Sequence, residues 1–211
     1  MKYTYCFINA LNRHFPVDSA SLLHRLDIKY SEIQKDVSFV KKSSNPIDKR
    51  LYFTAYLLAL IKILEHEGIP FDRVKDICLE ITYDSVSPKN WFQKHIKRLI
   101  PKLLGSKISK IALKQFNKKT AKRSHIDGFR AEIISDKDDT FGLGYGVNIL
   151  ECGICKLFQK HQATSYSSIL CEVDKVTSEL AGLQLIREGT IALGAEACDF
   201  RWKTKTPDDQ R

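Results

Sequence analysis

Gly128-Phe129-Arg130-Ala131-Glu132-Ile133-Ile134-Ser135, the polar run Asp136-Lys137-Asp138-Asp139 and the glycine-punctuated stretch Phe141 to Leu150 mark where this chain changes its pattern. The first segment alternates loosely, as a strand with one buried face does. The second reads as a turn. The third carries Tyr145, Val147 and Ile149 at a spacing of two, which also predicts a strand; Gly142, Gly144 and Gly146 suggest a bulged or closely packed one. A dinucleotide-binding fingerprint does not fit here. Gly146 follows Gly144 by two positions, where that motif needs three and then a helix.

Upstream of this stretch, the first 125 residues read as mostly helical. Ser19 to Val40 places Leu22, Leu23, Leu26, Ile33, Val37 and Val40 at mostly three- and four-residue spacings. Ser43-Ser44-Asn45-Pro46 breaks the pattern, and Asp48 opens a helix to about Glu67 that Gly68-Ile69-Pro70 stops. Pro70 to Tyr83 predicts another helix. Pro88 opens one towards Leu104, which Pro101 should interrupt, and a basic helix follows from Lys107 to about Lys122. Downstream, a helix is expected from Cys152 to about His161 and a second over Ser167–Ala181, ended by Gly182. Leu183–Thr190 and Ala197–Lys203 read as strands joined by a turn containing Gly194. The expected class is α+β. A helical N-terminal part (1–125) packs on a C-terminal antiparallel sheet with two or more helices (126–203), and a polar tail (204–211) frays.

The chain has 211 residues, 43% of them apolar, enough to bury a core without a disulfide scaffold. No secretory signal is recognisable, and the apolar run Leu51 to Ile61 is about half the length of a membrane span. A reducing cytoplasm with free thiols is the simplest expectation. The net charge of +9 is uneven: no acidic residue falls between Asp84 and Asp127, where Lys89, Lys94, Lys97, Arg98, Lys102 and seven further Lys or Arg residues lie. Such a basic amphipathic segment (89–123) can bind nucleic acid or an anionic surface, or simply be a solvated helical face. No zinc-finger spacing or RNP sequence accompanies it.

Four of the six cysteines lie in the last third of the chain, as Cys152-Gly153-Ile154-Cys155, Cys171 and Cys198; Cys6 and Cys78 sit in apolar surroundings and read as buried packing thiols. At a helix start Cys152 would meet exposed N–H groups that favour a thiolate, with Lys156 adding positive charge. A thioredoxin-like redox role lacks the βαβ pattern it needs. Zinc would find four soft ligands, but only one tight pair. Nucleophilic catalysis is the third reading: Cys171 and Asp174 share a helical face, and a strand would aim Cys198 and Asp199 to opposite sides. His161, in the polar run Gln159-Lys160-His161-Gln162, reads as a helix-end residue.

The ordered series Glu151-Cys152-x-x-Cys155-Lys156, Cys171-x-x-Asp174, Arg187-x-x-Thr190-Ile191-Ala192-x-Gly194 and Cys198-Asp199-Phe200-Arg201 resembles the L-2-amino-thiazoline-4-carboxylic acid hydrolase family over about Gly128 to Lys203. The resemblance implies hydrolytic opening of a 2-aminothiazoline ring to N-carbamoyl-cysteine, expected here as hydrolysis of a C–N bond in a small cyclic amidine. Attack on an amidine-like carbon needs a nucleophile and an acid, for which Cys171, with Cys198 next, and Asp174 as acid, base or orienting carboxylate are the candidates; the alternative is that Cys171 and Cys198 are buried packing thiols. Arg187 would hold a substrate carboxylate, Thr190 would donate a hydroxyl, and Asp199, Arg201 and Cys152 would complete the substrate contacts. No cofactor is expected, with zinc or another divalent metal as the alternative. The cysteine spacing is also loosely similar to the 4-vinyl reductase small-molecule-binding domain. A non-enzymatic small-molecule or metal-binding module is therefore the rival expectation.

Overall fold

The computed structural model describes residues 4–92 and 107–204. Helices α1 (Thr4–His14), α2 (Ser19–Ile33), α3 (Arg50–His66) and α4 (Phe71–Val86) form the N-terminal part, followed by α5 (Lys107–Thr120). Strands β1 (Arg130–Ile134) and β2 (Gly146–Glu151), helices α6 (Gly153–Lys160) and α7 (Ile169–Leu180), and strands β3 (Leu183–Ile186) and β4 (Cys198–Thr204) complete the chain. The class is α+β. The helix expected from Pro88 to Leu104, with its Lys94, Lys97 and Arg98 face, lies mostly outside the described residues, as does the tail after Thr204. Among the described residues no helix is long and apolar enough to cross a membrane.

Helix α3 is the centre of the molecule. Leu51 and the run from Thr54 to Ile61 are buried on every side of the helix, as befits a segment apolar all round. It touches α2, α4 and α6, so its burial joins the N-terminal helices to the C-terminal part. One continuous buried cluster runs from Phe7 and Leu57 through Phe129 and Ala131 to Phe158, Leu170 and Phe200. Short of α3, α2 stops at Ile33 instead of continuing to Val40, and Ser38–Lys41 forms a separate 3₁₀ turn that buries Val40.

The four strands pair antiparallel in the order β1-β2-β4-β3. Ala131, Ile149 and Cys198 stand side by side across three strands, with Ile133, Val147 and Phe200 in the next row. Because side chains alternate along a strand, these residues share the face that meets the helices, and Asn148, Asp199 and Arg201 share the other. Strand β3 ends at Ile186, four residues before the expected Thr190. The N–H groups of Glu188 and Gly189 donate to the Asp199 carboxylate (3.0 and 2.8 Å) instead of to a strand ladder. Helix α7 ends where Gly182 takes φ +76°, the left-handed cap expected from sequence.

The 3₁₀ turn Pro46–Lys49 fixes the start of α3 against the sheet. Asn45 caps it through Ile47 N (3.0 Å) and donates to the Phe129 carbonyl (2.8 Å), while the wholly buried Asp48 carboxylate accepts from Phe129 N (2.8 Å). Gly128 is required there, since a Cβ would lie 2.9 Å from an Asp48 oxygen. This clamp sets down Arg50, the next residue but one, beside the C-terminal helices.

Candidate active site

The four C-terminal thiols converge. Cys152, Cys155, Cys171 and Cys198 line one small cavity together with Asp174, Arg187 and Arg50. Four elements supply them: Cys152 caps α6 and Cys155 lies in its first turn, Cys171 and Asp174 share a face of α7, Cys198 opens β4, and Arg50 opens α3. All six cysteines of the chain are free, and Cys6 and Cys78 are buried in the helical part, away from this cavity. The cavity volume is about 30 Å³, room for a water molecule and not for a ring.

The thiols are not equivalent. Cys152 is held below the ordinary thiol range, first by the Cys155 thiol one helical turn along, then by the N–H groups of Cys155 and Ile154 and the Arg50 charge. Its sulfur lies in the field of those N–H groups without a hydrogen bond of full geometry to them. Cys155 is raised in turn, by donating to Cys152 and by burial. Burial also raises Cys171, and pushes Cys198 up to about 11 even though Ile191 N donates to its sulfur at 3.2 Å. The surroundings of Cys152 thus favour its charged form, whereas burial disfavours that of Cys171 and Cys198, the two thiols ranked first from sequence.

Asp174 stands between two guanidiniums. Its side chain, 17% exposed, accepts from Arg50 Nη2 at 2.7 Å and lies 3.6 Å from Arg187 Nη1. Arg187 is itself 8% exposed, donates through Nη2 to the Cys171 carbonyl (3.2 Å) and lies over the Phe200 ring, 5.1 Å from its centroid. Its Nη1 has no hydrogen-bond partner, an unmet buried donor next to the thiols. Thr190 is equally buried, and its hydroxyl is near enough to favour a Cys171 thiolate without completing a hydrogen bond.

Two expected contacts are elsewhere. Asp199 and Arg201 stand on the sheet face opposite Cys198, because strand side chains alternate. Asp199 holds the Glu188–Gly189 loop, while Arg201 donates to the Asp139 carbonyl (2.9 Å) and to Asn148 Oδ1 (2.9 Å). Lys156 turns away from Cys152 to Glu151 (2.7 Å) and the Ile126 carbonyl (2.7 Å), and His161 pairs with Asp36 at 2.8 Å. Arg50 was not legible as a site residue, since it lies 124 positions from Asp174 in an otherwise apolar helix. Among the described residues, no three His, Cys, Asp or Glu side chains are placed as ligands of one metal ion.

The family model for L-2-amino-thiazoline-4-carboxylic acid hydrolase matches residues 49–202. The match starts well before Gly128 and takes in α3 with Arg50, as well as all four converging thiols. No curated protein and no solved structure matches the chain. A family match over well over half of the chain, together with the motifs that carry it, shows that this chain belongs to the L-2-amino-thiazoline-4-carboxylic acid hydrolase family.

Proposed function

We propose that the protein is a hydrolase that opens a small thiazoline-type cyclic amidine, with the Cys152 thiolate as its nucleophile. The observation that carries this reading is the convergence of Cys152 with a second thiol and two guanidiniums at one cavity, where its pKa is held below the ordinary thiol range, in a chain of this family.

The product named by the family's reaction decides which bond breaks. N-carbamoyl-cysteine keeps both nitrogens on the former amidine carbon, so the bond lost is the ring C–S bond and not the C–N bond expected from sequence. Cys152 adds to the protonated amidine carbon to give a neutral tetrahedral adduct. Its collapse expels the ring sulfur, which takes a proton from water as the substrate's own thiol and leaves an isothiouronium on Cys152. One water then adds to the same carbon, losing one proton to the hydroxide left by the previous step and the other to solvent as the C=O forms; Cys152 departs as a thiolate, and the urea oxygen is the oxygen of that water. Cys155 stays protonated throughout and donates to Cys152 when it carries charge. Asp174 holds the two arginines in place, and the free Nη1 of Arg187 and the outward end of Arg50 (43% exposed) receive the substrate carboxylate. The cavity admits the attacking water; the ring enters from the adjoining cleft, and Arg50 and Asp174, which line both, part to let it reach Cys152.

Release of a free thiol from 2-aminothiazoline-4-carboxylate, followed with a chromogenic thiol reagent, tests the reading. Wild type should release one thiol per ring. Cys152→Ala should lose at least ~10³-fold in kcat, as removal of a nucleophile does, and Cys171→Ala far less. No thiol release by wild type, or full activity of Cys152→Ala, would sink it.

A further inference from the structure

The cysteine cavity shares Arg50, Asp174, Ile149 and Phe200 with a neighbouring cleft of about 380 Å³, and that cleft shares Phe116, Val147, Thr177, Ser178 and Trp202 with a groove of about 450 Å³ between α5, α7 and the sheet. Cavity, cleft and groove thus adjoin one another in that order. Its far half is walled by carbon, from Leu113 and Phe116 of α5 to Ile133, Leu183 and the Trp202 ring. The polar groups in this wall are already satisfied within the protein: Trp202 Nε1 donates to Ser178 Oγ (2.9 Å), Ser178 Oγ to the Asp174 carbonyl (2.7 Å) and Thr177 Oγ1 to the Val173 carbonyl (2.8 Å). Tyr145 differs, for its hydroxyl is buried with no hydrogen-bond partner. At the inner end, two guanidiniums flank the Asp174 carboxylate, and the Arg50 side chain, 43% exposed, keeps donors for a second carboxylate.

A site with guanidinium donors at one end and apolar walls along cleft and groove is larger than an unsubstituted five-membered ring requires. We infer that the groove is a substrate subsite, and that the ligand is a small carboxylate carrying an alkyl or aryl substituent which lies between α5 and Trp202. The inference rests on the hydrolase reading only for the ring at the thiol end. Phe116, Leu113 and Trp202 act as specificity determinants.

Binding of butanoate and octanoate, read by Trp202 fluorescence in a Trp91→Phe background, tests this directly. Each methylene that enters the groove is worth up to about fourfold in affinity, so octanoate should bind at least ~10-fold tighter than butanoate, saturably and with a change in Trp202 emission. Ala112→Phe, at an exposed position of α5 that lines the groove, should remove the gain for octanoate and leave butanoate unchanged. Equal affinities, or an octanoate response untouched by Ala112→Phe, overturn the inference. The two readings fail separately. Turnover of 2-aminothiazoline-4-carboxylate without any advantage for its 5-hexyl derivative overturns the groove alone. Octanoate binding with no turnover of either ring supports the groove and overturns the hydrolase.

Discussion

Cys152 owes its character to its neighbours more than to its own type. It caps α6, has Cys155 one turn along and Arg50 across the cavity, and each of these favours the charged sulfur against the cost of burial. Cys171 and Cys198, whose motifs are the more distinctive in sequence, have burial as their largest influence and stay protonated. The pH dependence follows. The reactive form is the thiolate and the Cys152 pKa is depressed, so kcat/KM should rise with pH through a midpoint below the ordinary thiol value of about 8.5, and fall again where the substrate amidinium loses its proton. Cys155→Ala removes the largest favourable influence and should move that midpoint upward, lowering the rate several-fold at pH 7. The rate of iodoacetamide alkylation of Cys152 should follow the same curve; a midpoint unchanged by Cys155→Ala would refute this account.

The junction of β2 and α6 holds Cys152 in place. Glu151, the last residue of β2, accepts from Arg123, from Arg130 Nε (2.9 Å) and from Lys156 Nζ (2.7 Å), so one carboxylate ties the segment after α5, the first residue of β1 and the first turns of α6. These cations, Arg123 foremost, hold its pKa down at about 2. A carboxylate depressed in the folded state stabilises fully above its unfolded pKa near 4.3, and that contribution is lost as pH falls through the folded value. Glu151→Gln should therefore cost about 1–2 kcal/mol at pH 7, given that Arg123 is half exposed and screened, and the difference from wild type should shrink between pH ~4.5 and ~2. Urea titrations across that range would check it. At this scale the sequence was largely readable: both hairpin strands before α6, α6 and α7, and the Gly182 stop are local patterns. The early end of β3 was not, because Asp199 from the facing strand takes the N–H groups that a longer β3 would have used.

Across the whole molecule, the sheet depends on helices that precede it by 80 residues. Asp48 satisfies the Phe129 N–H inside one buried cluster that spans both parts. Asp48→Ala leaves that buried N–H unpaired and should cost about 1–3 kcal/mol. Helical circular dichroism and Trp202 fluorescence should still report one coincident unfolding transition, and two separated transitions would show that the helical and sheet parts unfold independently. Helices giving way to strands near Asp127, the α+β class, free thiols and the family motifs were all determined by the sequence itself, since periodicity and ordered motifs are local properties of a chain. That Arg50 joins Asp174, that the four thiols meet at one cavity, and that Cys198 rather than Asp199 faces it were decided only by the tertiary structure. Charge, burial and hydrogen bonding act over a few ångströms, and the groups that meet at this cavity come from positions up to 148 residues apart, from Arg50 to Cys198.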